Sequence, residues 1–201
     1  MGQKKSTVLS LAIFLLVIAG CASYQTKTVS VSQIEGYHLS MKKEGVFFAA
    51  DSFDSPEKAK DAFYADVTNR GYYPVQLIFK NDTSENVLVL RGTVEIETAG
   101  SVFRTVRSSN MYNDFEHNKM AYALFGFGIF SYMSAEEANR KMEADWREKE
   151  MPEQLIVMPG RTSHGFVYFK LPQGVTLRGS KLKVEAERMA DRKIIKLEVT
   201  L

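Results

Sequence analysis

Residues Pro74–Leu90 read PVQLIFKNDTSENVLVL and contain the pattern from which the fold is predicted. Val75, Leu77 and Phe79 alternate with Gln76, Ile78 and Lys80, so the first half predicts a strand with one apolar and one mixed face. The next four residues are Asn, Asp, Thr and Ser, which favour a turn. A second short apolar run, Val87–Leu90, follows. The stretch therefore predicts two strands joined by a turn.

Working outward from this stretch, we find similar patterns along most of the chain. Tyr37–Lys43 and Val46–Ala50 predict a hairpin around Glu44-Gly45, because glycine can supply the positive φ of a tight turn. Further strands are predicted at Thr93–Thr98 (continuing Val87–Leu90 after a bend near Gly92), Val102–Val106, Gln154–Met158, Gly165–Lys170, Leu182–Ala186 and Ile194–Leu201. About seven to nine short strands with turns every 8–12 residues predict a mainly β fold, an antiparallel sandwich.

Two segments depart from this β pattern. Ser55 is a good N-cap and a proline follows it, so a short helix is predicted at Pro56–Phe63. Residues 109–153 have almost no period of two and predict an apolar and helical insertion between the β halves. Within it, the Ser-x-x-Glu capping box at residues 134–137 predicts the start of a charged helix, with Ser134 as its N-cap.

The first twenty residues have the layout of a secretory signal. Lys4 and Lys5 form a short positive region. Val8–Ile18 is an apolar run of eleven residues, too short for a membrane span of about 20 residues. The small residues Ala19-Gly20 then precede Cys21, the only cysteine. These features predict a signal over residues 1–20.

Ile18-Ala19-Gly20-Cys21 resembles the lipobox of bacterial lipoprotein precursors, which has an aliphatic residue, two small residues and then cysteine. The resemblance implies cleavage before Cys21, a diacylglyceryl thioether on its sulfur and acylation of the new amine. A single acyl chain holds a protein only marginally, so stable anchoring needs two or more signals. Ala22, where aspartate often favours inner-membrane retention, implies sorting to the outer membrane. The alternatives are an ordinary signal peptide with a chance cysteine and an uncleaved anchor.

A second resemblance covers residues 73–201. Pro74–Leu90, followed about seventy residues later by Met158–Pro172 (MPGRTSHGFVYFKLP), is similar to immunoglobulin-like domains of bacterial lipoproteins and secreted proteins. There, a strand ending in Asn precedes a turn, and a Pro-Gly turn precedes a Gly-aromatic strand. The resemblance implies an immunoglobulin-like β-sandwich, from which the insertion at 109–153 departs. Many members of such groups have no assigned activity, so it implies fold more than function.

Composition limits the functional classes. Removal of residues 1–20 leaves 181 residues, enough to bury a substantial core. The net charge of +2 comes from Lys4 and Lys5, so the remaining chain has 24 basic and 24 acidic residues. This balance does not predict nucleic-acid binding, which needs a clustered basic surface. With Cys21 acylated, disulfides, cysteine–zinc sites and thiol nucleophiles are excluded.

The sequence contains no recognisable catalytic or metal-binding pattern. His38, His117 and His164 are far apart, and we predict that no two of them converge with a carboxylate in a cleft. Asp114-x-Glu116-His117 is better explained as a solvated polar loop than as part of a metal site. Ser163 and His164 are adjacent in a strand and so point to opposite faces. We therefore predict no catalytic residues, no metal and no cofactor.

Met120–Met133 (MAYALFGFGIFSYM) is the stretch with most room for function. Its fourteen residues are too few to span a bilayer. The candidate contact residues are Tyr122, Phe125, Phe127 and Phe130. The first interpretation is that they pack on their own domain. The second is a surface for a partner or a small ligand, and the third is shallow insertion into the membrane that the lipid on Cys21 already reaches.

These observations predict a lipid-anchored protein of the bacterial envelope, facing the periplasm, with a non-catalytic structural or binding role. The first alternative is an interaction subunit of an envelope complex that docks through residues 120–133. The second alternative is a hydrolase with dispersed site residues. The predicted partners are the membrane, through the lipid on Cys21, and an envelope protein. The predicted organisation is a signal at 1–20, a lipidated N-terminus and tether at 21–35 and a β domain at 36–201.

Overall fold

The computed structural model describes residues 24, 26–116 and 132–201. This part of the chain forms ten β-strands, three α-helices and short 3-10 turns. The strands are β1 (Ser40–Lys43), β2 (Val46–Ser52), β3 (Tyr72–Asn81), β4 (Val87–Leu90), β5 (Glu95–Thr98), β6 (Ser101–Val106), β7 (Gln154–Val157), β8 (Thr162–Lys170), β9 (Lys181–Arg188) and β10 (Lys193–Thr200). The helices are α1 (Pro56–Phe63), α2 (Ser108–Glu116) and α3 (Tyr132–Lys149). The prediction of a mainly β, antiparallel fold is confirmed.

The ten described strands belong to one continuous antiparallel sheet. Their order is β1-β2-β3-β8-β6-β5-β9-β4-β7, and β10 pairs with β9. Strand β6 joins the two halves, because its first four residues pair with β5 while Thr105 and Val106 pair with β8. The structure therefore has one sheet where a sandwich would have two separate ones.

The sheet folds over and encloses the main core. Inward-facing side chains of β2, β3 and β8 pack there with those of β4, β9 and β10. Val75, Leu77 and Phe79, whose alternation predicted β3, are fully buried in it. Full burial of a large apolar side chain stabilises the fold by about 1.5–3 kcal/mol, so this alternation selects the inner face of the strand.

The helices cover the opposite face of β3 and β8. There the ring of Phe63 on α1 makes edge-to-face contacts with Trp146 on α3 and with Phe166 on β8. Trp146 Nε1 donates a hydrogen bond to the carbonyl of Phe63 at 3.1 Å, and Lys149 Nζ donates to the carbonyl of Ala62 at 2.8 Å. These bonds satisfy carbonyls at the C-terminal end of α1, where a cation is also favourable.

Several local predictions are confirmed. Helix α1 has the predicted bounds, and Ser55 Oγ accepts a hydrogen bond from the Lys58 amide at 3.2 Å. The β1–β2 hairpin turns at Glu44-Gly45, where both residues have positive φ. The bend near Gly92 is a 3-10 turn at Arg91–Thr93, and both β4 and β5 pair with β9.

Other local predictions differ from the structure. Helix α3 begins at Tyr132, so Ser134 lies inside the helix and is not its N-cap. The polar lead-in of the insertion is helical, since α2 begins at Ser108. None of the described helices is both long enough and apolar enough to cross a membrane.

Candidate functional site

An N-terminal strap, here defined as Tyr24 and residues 26–33, packs on the outer face of β3 and β8. Tyr24 and Val29 contact the aromatic cluster that contains Phe166, and Val31 packs with the buried Ile78 on β3. The described part of residues 21–35, the segment predicted as a lipidated N-terminus and tether, is therefore docked on the domain. The physical reason is that its apolar side chains cover an apolar sheet face.

Tyr24, the first described residue of the strap, fixes the strap to the domain. Its side chain is buried, and its hydroxyl donates a hydrogen bond to the carboxylate of Asp145, which also binds Lys149. Burial, and next the hydrogen bond to Asp145, raise the pKa of Tyr24 far above its usual value. The hydroxyl therefore stays protonated and remains a donor. Its ring lies 5.6 Å from that of Tyr64.

The strap has the burial pattern of a strand but no strand partner. Half-buried residues alternate with exposed ones: Lys27, Val29 and Val31 against Thr26, Thr28 and Ser30. Residues 26–31 make no backbone–backbone hydrogen bond within the described chain. The strap thus has the alternation expected of a strand, without a hydrogen-bonded backbone neighbour in the described chain.

A cleft of about 290 Å³ lies between the strap and the C-terminal end of α3, and we call it the strap cleft. Residues of β3 and β8 also line it. The lining residues are Thr26, Lys27, Thr28, Val29, Gln76, Asp145, Glu148, Lys149, Glu150, Pro152, His164, Gly165 and Phe166. Ion pairs within the domain occupy Lys27 (with Asp61) and Lys149 (with Asp145).

Gln76 is the most informative residue of the cleft. It is 1% exposed and lines the cleft, and none of the side-chain hydrogen bonds found between described residues involves its carboxamide. Gln76 lies on β3 beside Phe166 of β8, on the face opposite the main core. The side chain is therefore a largely buried polar group that borders the cleft and can hydrogen-bond to a group that enters it.

The wall formed by the end of α3 depends on a close backbone approach. The Met151 amide donates a hydrogen bond to the carbonyl of Phe166 at 2.7 Å. Glu150 and Phe166 form an isolated parallel β-bridge. A Cβ on Gly165 would lie 2.7 Å from the Met151 Cα, so only glycine fits there. Gly165 thus allows the chain after α3 to lie directly on β8.

An ion network around the buried Arg91 stabilises the segment that follows α3 and forms this wall. Arg91 binds Glu150 and Glu153, and its side chain is 6% exposed. Glu150 also accepts hydrogen bonds from the amide and the hydroxyl of Ser108. Arg107, which is 61% exposed, is a second partner of Glu153. The network ties the β4–β5 turn to the segments that follow β6 and α3.

A larger groove, of about 500 Å³, lies over β5, β9 and β10, but it lacks these features. Its lining is mostly exposed or half-exposed charged residues. Lys183 pairs with Glu97 at 2.6 Å, and Lys196 lies 3.8 Å from Glu185. No residue that lines this groove is a buried polar group without a partner in the described chain. We therefore take the strap cleft as the candidate site.

The predicted site residues fall into two groups. Cys21, His117 and the aromatic residues Tyr122, Phe125, Phe127 and Phe130 lie outside the described residues. Among the others, His164 is exposed and lines the strap cleft, whereas His38 is exposed and does not line it.

Asp114, considered as part of a metal fragment, makes an ion pair instead. It accepts hydrogen bonds from Lys170 at 2.8 Å and from the Tyr72 hydroxyl at 2.7 Å. These bonds, that from Lys170 first, lower the pKa of the Asp114 carboxyl. Among the residues that the structure describes, no group of three or more His, Cys, Asp or Glu could hold a metal ion.

The sequence interpretation missed the strap and Gln76. The signal for Gln76 was present: it lies between Val75 and Leu77 in a strand whose second face also carries Ile78. An apolar residue on the second face of a strand indicates that this face is covered. A glutamine on such a face is then expected to be buried and to need a hydrogen-bonding partner.

Replacing Gln76 by leucine is expected to stabilise the protein by about 1 kcal/mol, because an apolar side chain of similar volume replaces a polar one that makes no side-chain hydrogen bond to a described residue. Chemical denaturation of the purified full chain measures the change. Gln154→Leu is the matched control on the exposed strand β7 and should change stability by less than about 0.5 kcal/mol. A loss of stability in Gln76→Leu would mean that the amide has a protein partner.

Comparisons with known proteins give structural neighbours without a named function. No protein-family model and no curated protein matches the chain. The crystal structure of the yjhA protein from Bacillus subtilis is similar with a TM-score of 0.42 and 11% identity, over 82% of this chain and 97% of that one. A functionally unknown protein from Listeria monocytogenes EGD-e is similar with a TM-score of 0.40 and 9% identity, over 90% of this chain and 89% of that one. The functional argument therefore rests on the residues of the strap cleft.

Proposed function

We propose that this chain is a non-catalytic binding module of the bacterial envelope, anchored by lipid on Cys21, that presents the strap cleft close to the membrane. The outer membrane, on its periplasmic side, is the proposed location. The lipobox pattern at residues 18–21 and Ala22 support the anchor and its sorting. The carboxamide of Gln76, a donor and acceptor that borders the cleft, supports a binding role for the cleft.

The position of Tyr24 is the observation that carries this proposal. It is buried on the domain and bound to Asp145. Only Ala22 and Ser23 separate it from Cys21, and three steps along an extended chain reach at most about 11 Å. A lipid on Cys21 would therefore hold the face that bears Tyr24 beside the bilayer surface. The next strap residues, Thr26–Val29, line the cleft, so the cleft lies on that face.

A non-catalytic role is proposed because the buried carboxylate of Asp145 and the largely buried carboxylate of Glu150 have structural partners. Asp145 binds Tyr24 and Lys149, and Glu150 binds Arg91 and Ser108. His164 has no described hydrogen-bond partner that would orient it as a base. A hydrolytic activity of the full chain that is lost in His164→Ala would favour the hydrolase alternative instead.

Metabolic labelling with radioactive palmitate tests the anchor. The full chain, expressed with its own signal in a bacterial host, should carry label and float with membranes. Cys21→Ser should carry no label, whereas His164→Ala, which changes an exposed residue, should be labelled like the parent. Membrane attachment without label would favour an uncleaved anchor, and a soluble unlabelled parent would favour an ordinary signal peptide.

A further inference from the structure

We propose that the strap cleft binds an extended peptide segment of neutral or positive charge, which pairs with the backbone of residues 26–29 and with the carboxamide of Gln76. This inference rests on the proposed function, because it names the ligand class of the same cleft. The peptide would add a strand beside the strap, a mode of recognition in which main-chain hydrogen bonds provide affinity.

The backbone of the strap is the first support. Its residues alternate between half-buried and exposed as in a strand, which places successive amide and carbonyl groups along its two edges. Residues 26–31 make no backbone–backbone hydrogen bonds to the described chain. Unpaired strand edges of this kind are templates for pairing with a further chain.

Gln76 is the second and independent support. Its side chain provides both a donor and an acceptor, and so does a peptide group. The two can therefore exchange a pair of hydrogen bonds inside the cleft. Because Gln76 is 1% exposed, it recognises a group that enters the cleft and not one that stays at the surface. Phe166 is also buried, so it offers no open ring face on which a sugar would stack.

The charge at the cleft favours a neutral or cationic peptide. Lys27 and Lys149 are paired with Asp61 and Asp145. Glu148 is exposed and forms no ion pair within the described chain, so its negative charge is available to a ligand in the cleft. The cleft volume of about 290 Å³ lies at the lower end of the range for small-ligand sites, so it fits a short stretch of peptide.

Binding of defined peptides to the full chain in detergent tests the proposal. The probes are fluorescent, N-acetylated and C-amidated hexapeptides of alternating valine and threonine, with one central lysine, one central glutamate or neither. Anisotropy titration should show binding of the lysine and uncharged peptides, with the glutamate peptide weakest. N-methylation of the two central amides should weaken binding at least tenfold, because it removes main-chain donors while keeping the side chains.

Variants locate the binding. Gln76→Leu should weaken it at least tenfold, and Glu148→Gln should reduce the preference for lysine over glutamate about threefold. Gln154→Leu should bind like the parent. The proposal is overturned if no probe binds, if N-methylation and Gln76→Leu both leave affinity unchanged, or if the glutamate peptide binds best. Thermal unfolding of each variant distinguishes loss of the site from loss of the fold.

The peptide-binding test and the palmitate test can contradict their two proposals independently of each other. A labelled, membrane-bound protein that binds no peptide would overturn only the ligand class. A peptide-binding protein without label would overturn the lipid anchor and leave the cleft assignment standing. Absence of peptide binding together with destabilisation by Gln76→Leu would show that the amide is bonded within the domain, and the cleft assignment would then fail as well.

Discussion

Replacing Arg91 by methionine is expected to reduce the free energy of unfolding by about 3–5 kcal/mol. The guanidinium is buried and binds Glu150, Glu153 and the carbonyl of Met151. Methionine keeps most of the volume but leaves the carboxylate of Glu150, whose side chain is only 10% exposed, without its positive partner. An uncompensated buried charge is much more costly than a missing pair. Urea denaturation of the full chain in detergent, followed by tryptophan fluorescence, measures the loss.

Two further variants make the Arg91 prediction specific. Arg107→Met removes the exposed arginine that shares Glu153 and should cost less than about 1 kcal/mol. Arg91→Lys keeps the charge but loses the planar fork that reaches two carboxylates, so its cost should lie between the other two. Equal losses in Arg91→Met and Arg107→Met would contradict the assignment of the buried pair as the stabilising one.

The strands and α1 could be predicted from sequence because their signals are local. The alternation at Val75, Leu77 and Phe79 and the cap at Ser55 need only a few neighbouring residues to be recognised. The structure confirms both. The continuous sheet could not be predicted in this way, because it depends on Thr105 and Val106 pairing with a strand more than sixty residues away in sequence.

The candidate site was harder to predict than the fold because its parts are distant in sequence. Thr26–Val29, Gln76 and Glu148 meet only after the strap docks and α3 packs on β8. Arg91 is a similar case. In sequence it follows an apolar run and precedes a glycine, and nothing local shows that Glu150 lies against it. Charge pairs across tertiary contacts have no short-range pattern, unlike pairs four residues apart on a helix.

Replacing Asn81 by aspartate is expected to destabilise the protein by about 3–5 kcal/mol, because it places a charge in a buried site and removes two donors. Asn81 ends β3, in the stretch that predicted the fold, and is fully buried. Its Nδ2 donates to the carbonyls of Glu85 at 2.7 Å and Val157 at 2.8 Å. Its Oδ1 accepts from the amide of Thr83 at 2.9 Å and from its hydroxyl at 2.7 Å. The side chain therefore closes the β3–β4 turn and links it to β7.

The loss of stability in Asn81→Asp should depend on pH. Burial beside two carbonyl oxygens raises the pKa of the introduced carboxyl above its unfolded value, so the folded variant binds the proton more tightly than the unfolded chain does. The stability of Asn81→Asp relative to the parent should accordingly fall as pH rises from the unfolded pKa of the carboxyl through its higher folded pKa. It should partly recover near about pH 4, where the carboxyl is protonated in the folded state. Asn113→Asp, on the exposed side of α2, is the control and should change stability by less than about 0.5 kcal/mol. If both variants unfold at the same urea concentration, the four hydrogen bonds of Asn81 do not stabilise the turn. The asparagine at the end of a strand before a turn, a feature on which the resemblance to immunoglobulin-like domains depends, would then not stabilise this chain.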